Sequence, residues 1–153
     1  VYGKENMVSG LCGKKIVVIG QSLIVGRPLA IMLQNDGATV TMCDKNTPDL
    51  TKEVEGADVI ISATGVPFLV NADMVKATGK KDITVIDAGI AKVDGKIVGD
   101  ADPAIYDLVG ALSPVPGGVG PVTVAFLTRN ILKAYCMQND LPVPIIREYR
   151  KDM

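Results

Sequence analysis

Five segments of this sequence carry small, polar or glycine residues in the arrangement that ligand chemistry needs, and each of the first four follows an apolar run rich in β-branched residues. The first is Gly20-Gln21-Ser22-Leu23-Ile24-Val25-Gly26. A turn from a buried strand into a helix brings backbone N–H groups and the positive end of the helix dipole toward one point, which suits a pyrophosphate. Its spacing is not G-x-G-x-x-G: Ser22 holds the middle glycine position, and the second glycine comes six residues after the first. By motif alone, the segment also reads as a plain tight strand-to-helix turn. Asp44 ends the second strand at about the separation where an acidic residue bonds an adenosine ribose. A carboxylate there would repel a 2′-phosphate and favour NAD, whereas the adjacent Lys45 would attract that phosphate. Asp44 equally suits a solvated turn before the next helix. Ala63-Thr64-Gly65 and Asp87-Ala88-Gly89-Ile90 let a ligand approach closely because nothing bulky projects, although simple turn sterics would ask for the same residues. The Ser113 to Thr123 segment is the most specific, with rigid prolines and the glycines Gly117, Gly118 and Gly120 directly before a helix. Pro121 sits at or near the first helical position, where its missing N–H costs little.

Other chemistries are excluded by what the sequence lacks. It has no histidine, which removes the commonest general base, the commonest metal ligand and every Ser-His or Cys-His arrangement. Cys12, Cys43 and Cys136 are scattered without metal spacing, and their odd number argues for reduced thiols over a disulfide framework. A net charge of −1 offers no basic face for nucleic acid. No run approaches the roughly 18 apolar residues of a membrane span, and residues 1–10 lack a secretory h-region, so a cytoplasmic protein is expected. With 153 residues and 48% apolar composition, the chain can bury one core. It reads as a single domain over 1–153, with its core at about 13–139 and a partly detached tail over 142–153.

The elements that must position these segments alternate. Strands are expected over 14–20, 39–43, 58–63 and 83–87, with helices over 25–35 and 48–55, the latter opening on Pro48. In the first helix, Val25, Leu29, Met32 and Leu33 recur at helical spacing. Val93-Asp94-Gly95-Lys96 signals a hairpin over 90–98. A long helix over 121–139 carries Val124, Leu127, Ile131, Leu132 and Tyr135 on one side. The fold class that follows is α/β, a Rossmann-like open parallel sheet with helices on both faces and its ligand beyond the carboxyl ends of the strands.

From about Gly13 to Asn139 the sequence resembles the C-terminal domain of the methylenetetrahydrofolate dehydrogenase/methenyltetrahydrofolate cyclohydrolase family. The resemblance rests on Val17-Val18-Ile19-Gly20, Ser22 with Ile24-Val25-Gly26-Arg27-Pro28, Gly37 to Thr41, Ala57 to Ile60, Val85-Ile86-Asp87, Gly89-Ile90, Val98-Gly99-Asp100 and the loop from Pro114 to Thr123. It implies an enzyme that oxidises 5,10-methylenetetrahydrofolate by hydride transfer to NAD(P) and hydrolyses the methenyl product to 10-formyltetrahydrofolate. By position, it implies cofactor contacts at Gly20, Gln21, Ser22, Lys45 and Ile90. Ile24, Val25, Asp44, Ala63, Thr64 and Gly65 complete the expected cofactor site, and Gly120 and Thr123 line it. Pro116, Gly117, Gly118 and Val119 match the wall between folate and nicotinamide.

Three departures stand out: Gln21 where the family commonly has arginine or a small residue, Asp44 where it has histidine, and Ala91 where it has asparagine. NADP is the family default, yet Gln21 and Asp44 lean toward NAD, while Lys45 keeps NADP open. The family's N-terminal domain carries the tyrosine and lysine that work on the folate. Neither is matched here, and none of Tyr2, Tyr106, Tyr135 and Tyr149 has a lysine four positions on. No catalytic residue and no metal ligand is therefore assigned to this chain. Alone it should be inactive, reaching tetrahydrofolate only through the missing domain. The resemblance also implies a homodimer, with the 90–98 region as a candidate contact. A free-standing nucleotide-binding or interaction module without catalysis is the alternative.

Overall fold

The β-branched run at Ile16 to Ile19 divides the core in two. Strand side chains alternate between faces, so Ile16 and Val18 join one apolar cluster with Leu33 and Ile61. Val17 and Ile19 join another with Ile60, Val85 and Ile105. This strand, β1 (Lys15–Ile19), is buried on both faces as a central parallel strand must be. The computed structural model describes residues 10–144. Expectations for residues 1–9 and for most of the 142–153 tail fall outside them.

After β1 come α1 (Gly26–Asn35), β2 (Thr39–Cys43), α2 (Leu50–Glu53), β3 (Val59–Ser62), α3 (Ala72–Ala77) and β4 (Thr84–Asp87). Then follow β5 (Ala91–Val93), β6 (Lys96–Val98), a 3-10 helix (Pro103–Leu108), β7 (Ala111–Ser113) and α4 (Val119–Gln138). Five strands form one parallel sheet in the order β2-β1-β3-β4-β7. Leu29 and Leu33 of α1 cover one face. Residues of α2, α3 and the 3-10 helix cover the other, which gives the doubly wound architecture expected. β5 and β6 pair as an antiparallel hairpin apart from that sheet. Asp94 and Gly95 turn it with positive φ angles of 50° and 80°, the pattern of a two-residue type I′ turn.

Several local expectations shift. α1 begins at Gly26 and buries Gly26, Ala30 and Leu33, leaving Met32 exposed because it lies off the stripe that meets the sheet. α2 starts at Leu50, not Pro48: the Asp49 carboxylate accepts from the Lys52 amide at 3.1 Å and caps the helix there. α3 is an addition, started by Asn71, whose side chain accepts from the amides of Asp73 and Met74 at 3.1 Å. Pro121 is the third residue of α4.

The chain divides at Val119/Gly120 into two compact units, the first holding every strand and the second holding α4 apart from its first residue. Within α4 only Cys136 is buried. Val124, Leu127, Ile131, Leu132 and Tyr135 are all exposed.

One ion pair braces the amino edge of the sheet. The Lys80 ammonium meets Asp58 Oδ1 at 2.5 Å, and the Lys15 amide donates to Asp58 Oδ2 at 2.8 Å. The Lys80 hydrogen bond, then the Lys15 amide, hold the Asp58 carboxyl below its ordinary value. A carboxyl depressed in the folded state stabilises above its unfolded pKa, and that contribution fades as pH falls through the folded value. Asp58→Asn should therefore cost roughly 0.5 to 1 kcal/mol at neutral pH, discounted for an exposed pair. In thermal melts the gap between the two proteins should close below about pH 4; a gap constant from pH 7 to pH 3 would rule out this role.

Candidate functional site

In a parallel sheet ordered 2-1-3-4-5, the chain leaves β1 toward one side and β3 toward the other, opening a crevice at their carboxyl ends. Here a cavity of ≈ 690 Å³ lies at that switch point, lined by Gly20, Gln21, Ser22, Asp44, Lys45, Ala63 and Thr64 among others. Those seven come from three separate segments singled out in the sequence.

Gly20 sets the floor. Its φ is +107°, and a Cβ would come within 2.5 Å of the Ala63 carbonyl oxygen and 3.4 Å of the Thr64 methyl group. Only glycine both adopts this conformation and lets the end of β3 close against the end of β1. Ser22 organises the start of α1: its hydroxyl accepts from the Val25 amide at 3.1 Å and the Gly26 amide at 3.5 Å, while its carbonyl accepts from the Arg27 amide at 3.0 Å. These amides, expected to face a ligand, are thus turned inward. The amides of Ser22, Leu23 and Ile24 take no partner among the described residues, and Leu23 and Ile24 project into solvent.

Asp44 follows β2, next to the Gly20 turn, where the Gly20 amide donates to the Cys43 carbonyl at 2.8 Å. Its carboxylate accepts from the Asn46 amide at 2.8 Å and the Asn46 side chain at 3.4 Å, and its own amide donates to Thr47 Oγ1 at 2.9 Å. The carboxylate thus belongs to its own turn while still lining the cavity; each oxygen keeps further acceptor capacity. Burial, together with the nearby Glu53 carboxylate, pushes the Cys43 thiol up, which leaves it protonated and unreactive at neutral pH.

Thr64 looks inward. Its amide and hydroxyl both donate to Asp100 Oδ2, at 2.7 and 2.8 Å, so its polar groups are spent below the cavity wall. Gly65 lies beside Ile90, whose carbonyl oxygen would be 3.6 Å from a Cβ on Gly65. Neither lines the cavity, nor do Ile24 and Val25. Gly120 and Thr123 lie in the second unit, within α4. Around Pro116, Gly117 and Gly118 the path is tight: Val115-Pro116 is cis, and a Cβ on Gly118 would strike the Pro114 carbonyl. Val119 opens α4.

Arg27, Thr47, Leu50, Val66 and Leu69 also line the cavity and were not anticipated as site residues. Arg27 follows Gly26 on the first turn of α1, and its type was a usable signal, since it puts two cations, Arg27 and Lys45, against one carboxylate in the wall. Leu50 and Leu69 read only as core. Such a crevice can hold an extended anion, with glycine at the closest approach and cations on one rim. Among the described residues no group of three or more His, Cys, Asp and Glu could hold a metal ion, and no helix is long and apolar enough to cross a membrane.

Residues 4–139 match the family model described as tetrahydrofolate dehydrogenase/cyclohydrolase, NAD(P)-binding domain. A bifunctional protein FolD from Hydrogenobaculum sp. is 50% identical over 126 residues, covering 82% of this chain and 44% of that protein. Among solved structures, the bifunctional FolD dehydrogenase/cyclohydrolase of Campylobacter jejuni superposes with a TM-score of 0.77 at 45% identity, over 86% of this chain and 45% of that one. The Trypanosoma brucei enzyme, solved with NADP and an inhibitor, gives a TM-score of 0.75 at 38% identity, over 84% and 45%. The chain spans about half the length of the curated relatives it matches.

Proposed function

Because the chain belongs to the tetrahydrofolate dehydrogenase/cyclohydrolase family through its NAD(P)-binding domain, we propose that it supplies the dinucleotide half of a bifunctional enzyme. That enzyme oxidises 5,10-methylenetetrahydrofolate to the methenyl form and hydrolyses it to 10-formyltetrahydrofolate. The observation that carries this reading is the cavity at the β1/β3 switch point, whose floor admits no Cβ at Gly20. Its residues fit a dinucleotide. The turn from Gly20 to Gly26 holds the pyrophosphate through the amides of Ser22 to Ile24, which take no partner among the described residues, and the start of α1. Asp44, with Lys45 and Arg27 nearby, meets the adenosine ribose, while Ala63, Thr64, Gly65 and Ile90 lead toward the nicotinamide. The bound nicotinamide supplies the hydride acceptor.

Pro116, Gly117, Gly118 and Val119 form the wall toward the folate in this reading. No residue of the chain moves a proton in the reaction. The residues that act on tetrahydrofolate belong to the other half of the relatives' length, and the chain alone binds without turning over. We read the assembled protein as a cytoplasmic homodimer that uses the β5–β6 hairpin as one contact; a light-scattering mass of one chain at micromolar concentration would exclude the dimer.

Gln21 and Asp44 bias the site toward NAD, since a carboxylate near the ribose opposes a 2′-phosphate and no basic group stands at position 21. Gln21→Arg combined with Asp44→Ser removes a like charge and adds a charge-assisted donor, a change of about 1.5 to 3 kcal/mol. The ratio of NADP to NAD affinity should rise by roughly tenfold to a hundredfold. Calorimetric titration of both proteins at one salt concentration checks this. Tighter NADP binding by the unaltered chain would instead assign the 2′-phosphate to Arg27 and Lys45.

A further inference from the structure

Two buried aspartates lie beneath the carboxyl edge of the sheet, and neither takes part in an ion pair among the described residues. Asp87 is 2% exposed and Asp100 fully buried. They interlock across the hairpin. Asp87 Oδ1 accepts from the Gly89 amide at 2.9 Å and the Asp100 amide at 3.1 Å, and Oδ2 accepts from the Ala101 amide at 2.8 Å. A Cβ on Gly99 would run into the Asp87 carboxylate, and one on Gly89 would run into that of Asp100. Each carboxylate therefore packs on the glycine beside the other, a reciprocal lock that fixes the segment after β6 against the loop after β4.

Asp100 reaches further. Its Oδ2 takes the Ser62 hydroxyl at 2.6 Å and the Thr64 amide and hydroxyl at 2.7 and 2.8 Å. Its backbone carbonyl accepts from the Val70 amide at 2.9 Å. On the far side, the Asp87 amide donates to Ser113 Oγ at 2.8 Å, where the Pro-Gly loop begins. A polar chain thus runs below the carboxyl edge from β3 through Asp100 and Asp87 to β7. It links the Thr64 wall of the cavity to Ile90 and to the loop from Pro114 onward. Asp100 Oδ1 is the buried side-chain atom without a hydrogen-bond partner among the described residues. A fully buried acceptor left unpaired is costly, and such cost persists where a functional arrangement requires it.

We propose that Asp100 is a positioning residue for the nicotinamide ring of the dinucleotide: it holds the loop after β3 and the loop after β4 at the separation the ring requires. The adenosine half, contacted by Gln21, Asp44 and Lys45 around β1 and β2, does not depend on it. This inference rests on the dinucleotide reading above.

ADP-ribose, which lacks the nicotinamide ring, separates the two. Titrating the chain with NAD and with ADP-ribose, Asp100→Ala should weaken NAD about tenfold or more while ADP-ribose stays within about twofold. Asp100→Asn, which keeps an acceptor for Ser62 and Thr64, should restore NAD to within about threefold of the unaltered chain. Should Asp100→Ala not fold, Ser62→Ala reads the same link, because the Ser62 hydroxyl is buried and outside the cavity; NAD should then weaken about threefold with ADP-ribose unchanged. Equal loss of both ligands in the folded variants, or loss of neither, would overturn the assignment. Failure of the unaltered chain to bind ADP-ribose would strike the dinucleotide reading itself.

Discussion

Gly26→Ala should destabilise the first unit by about 2 to 4 kcal/mol and abolish dinucleotide binding, because overpacking against backbone cannot relax by a rotamer change. A Cβ at this position would overlap the Gly20 carbonyl group and come within 3.3 Å of Gln21 Cα. Either α1 lifts from β1 or the turn from Gly20 to Gly26 is pushed open. Both displace the Ser22 hydroxyl from the amides it caps. Chemical denaturation followed by circular dichroism gives the stability change, and titration with NAD the functional one. A variant of unaltered stability would mean that the close approach at Gly26 does not shape the turn.

A second large effect is expected at Asp87, whose three amide donors at 2.8 to 3.1 Å have no solvent to replace it. Asp87→Ala leaves the buried Gly89 and Asp100 N–H groups and the half-buried Ala101 N–H group unpaired. At about 1 to 3 kcal/mol for each such group, the loss should reach about 3 kcal/mol or more even after relaxation or water entry. Asp87→Asn should not rescue it fully, since an amide NH₂ facing the Ala101 amide sets donor against donor. Denaturant midpoints of the three proteins should fall in the order Asp, Asn, Ala. An asparagine variant as stable as the unaltered chain would show that the nest does not require a carboxylate.

The frame was legible because its signals are local and strong. An unbroken run at Ile16 to Ile19 has one solution, a strand covered on both faces, and it lies in the middle of the sheet. Asp94-Gly95 specified its hairpin through backbone conformations that few residues adopt. Short elements escaped for the opposite reason: α3 has six residues, less than two turns, so no apolar period develops. In the site, Gly20 and Asp44 were legible as residues that end strands, where parallel sheets place their ligands. The role of Thr64 was not, because its amide and hydroxyl turn to an aspartate 36 residues away. The Asp87–Asp100 lock likewise joins positions separated by the hairpin, and no spacing rule connects them. For α4, a long apolar helix suggested one buried stripe. Val124, Leu127 and Ile131 are each exposed instead.

Calorimetric titration of the 153-residue chain with NAD, NADP and ADP-ribose decides whether the cavity at the β1/β3 switch point binds NAD(P). Saturable binding of one dinucleotide per chain is expected, with ADP-ribose competing for the same site and Gly26→Ala removing it. No heat of binding with any of the three, from a chain shown to be folded, would mean that the cavity does not hold a dinucleotide.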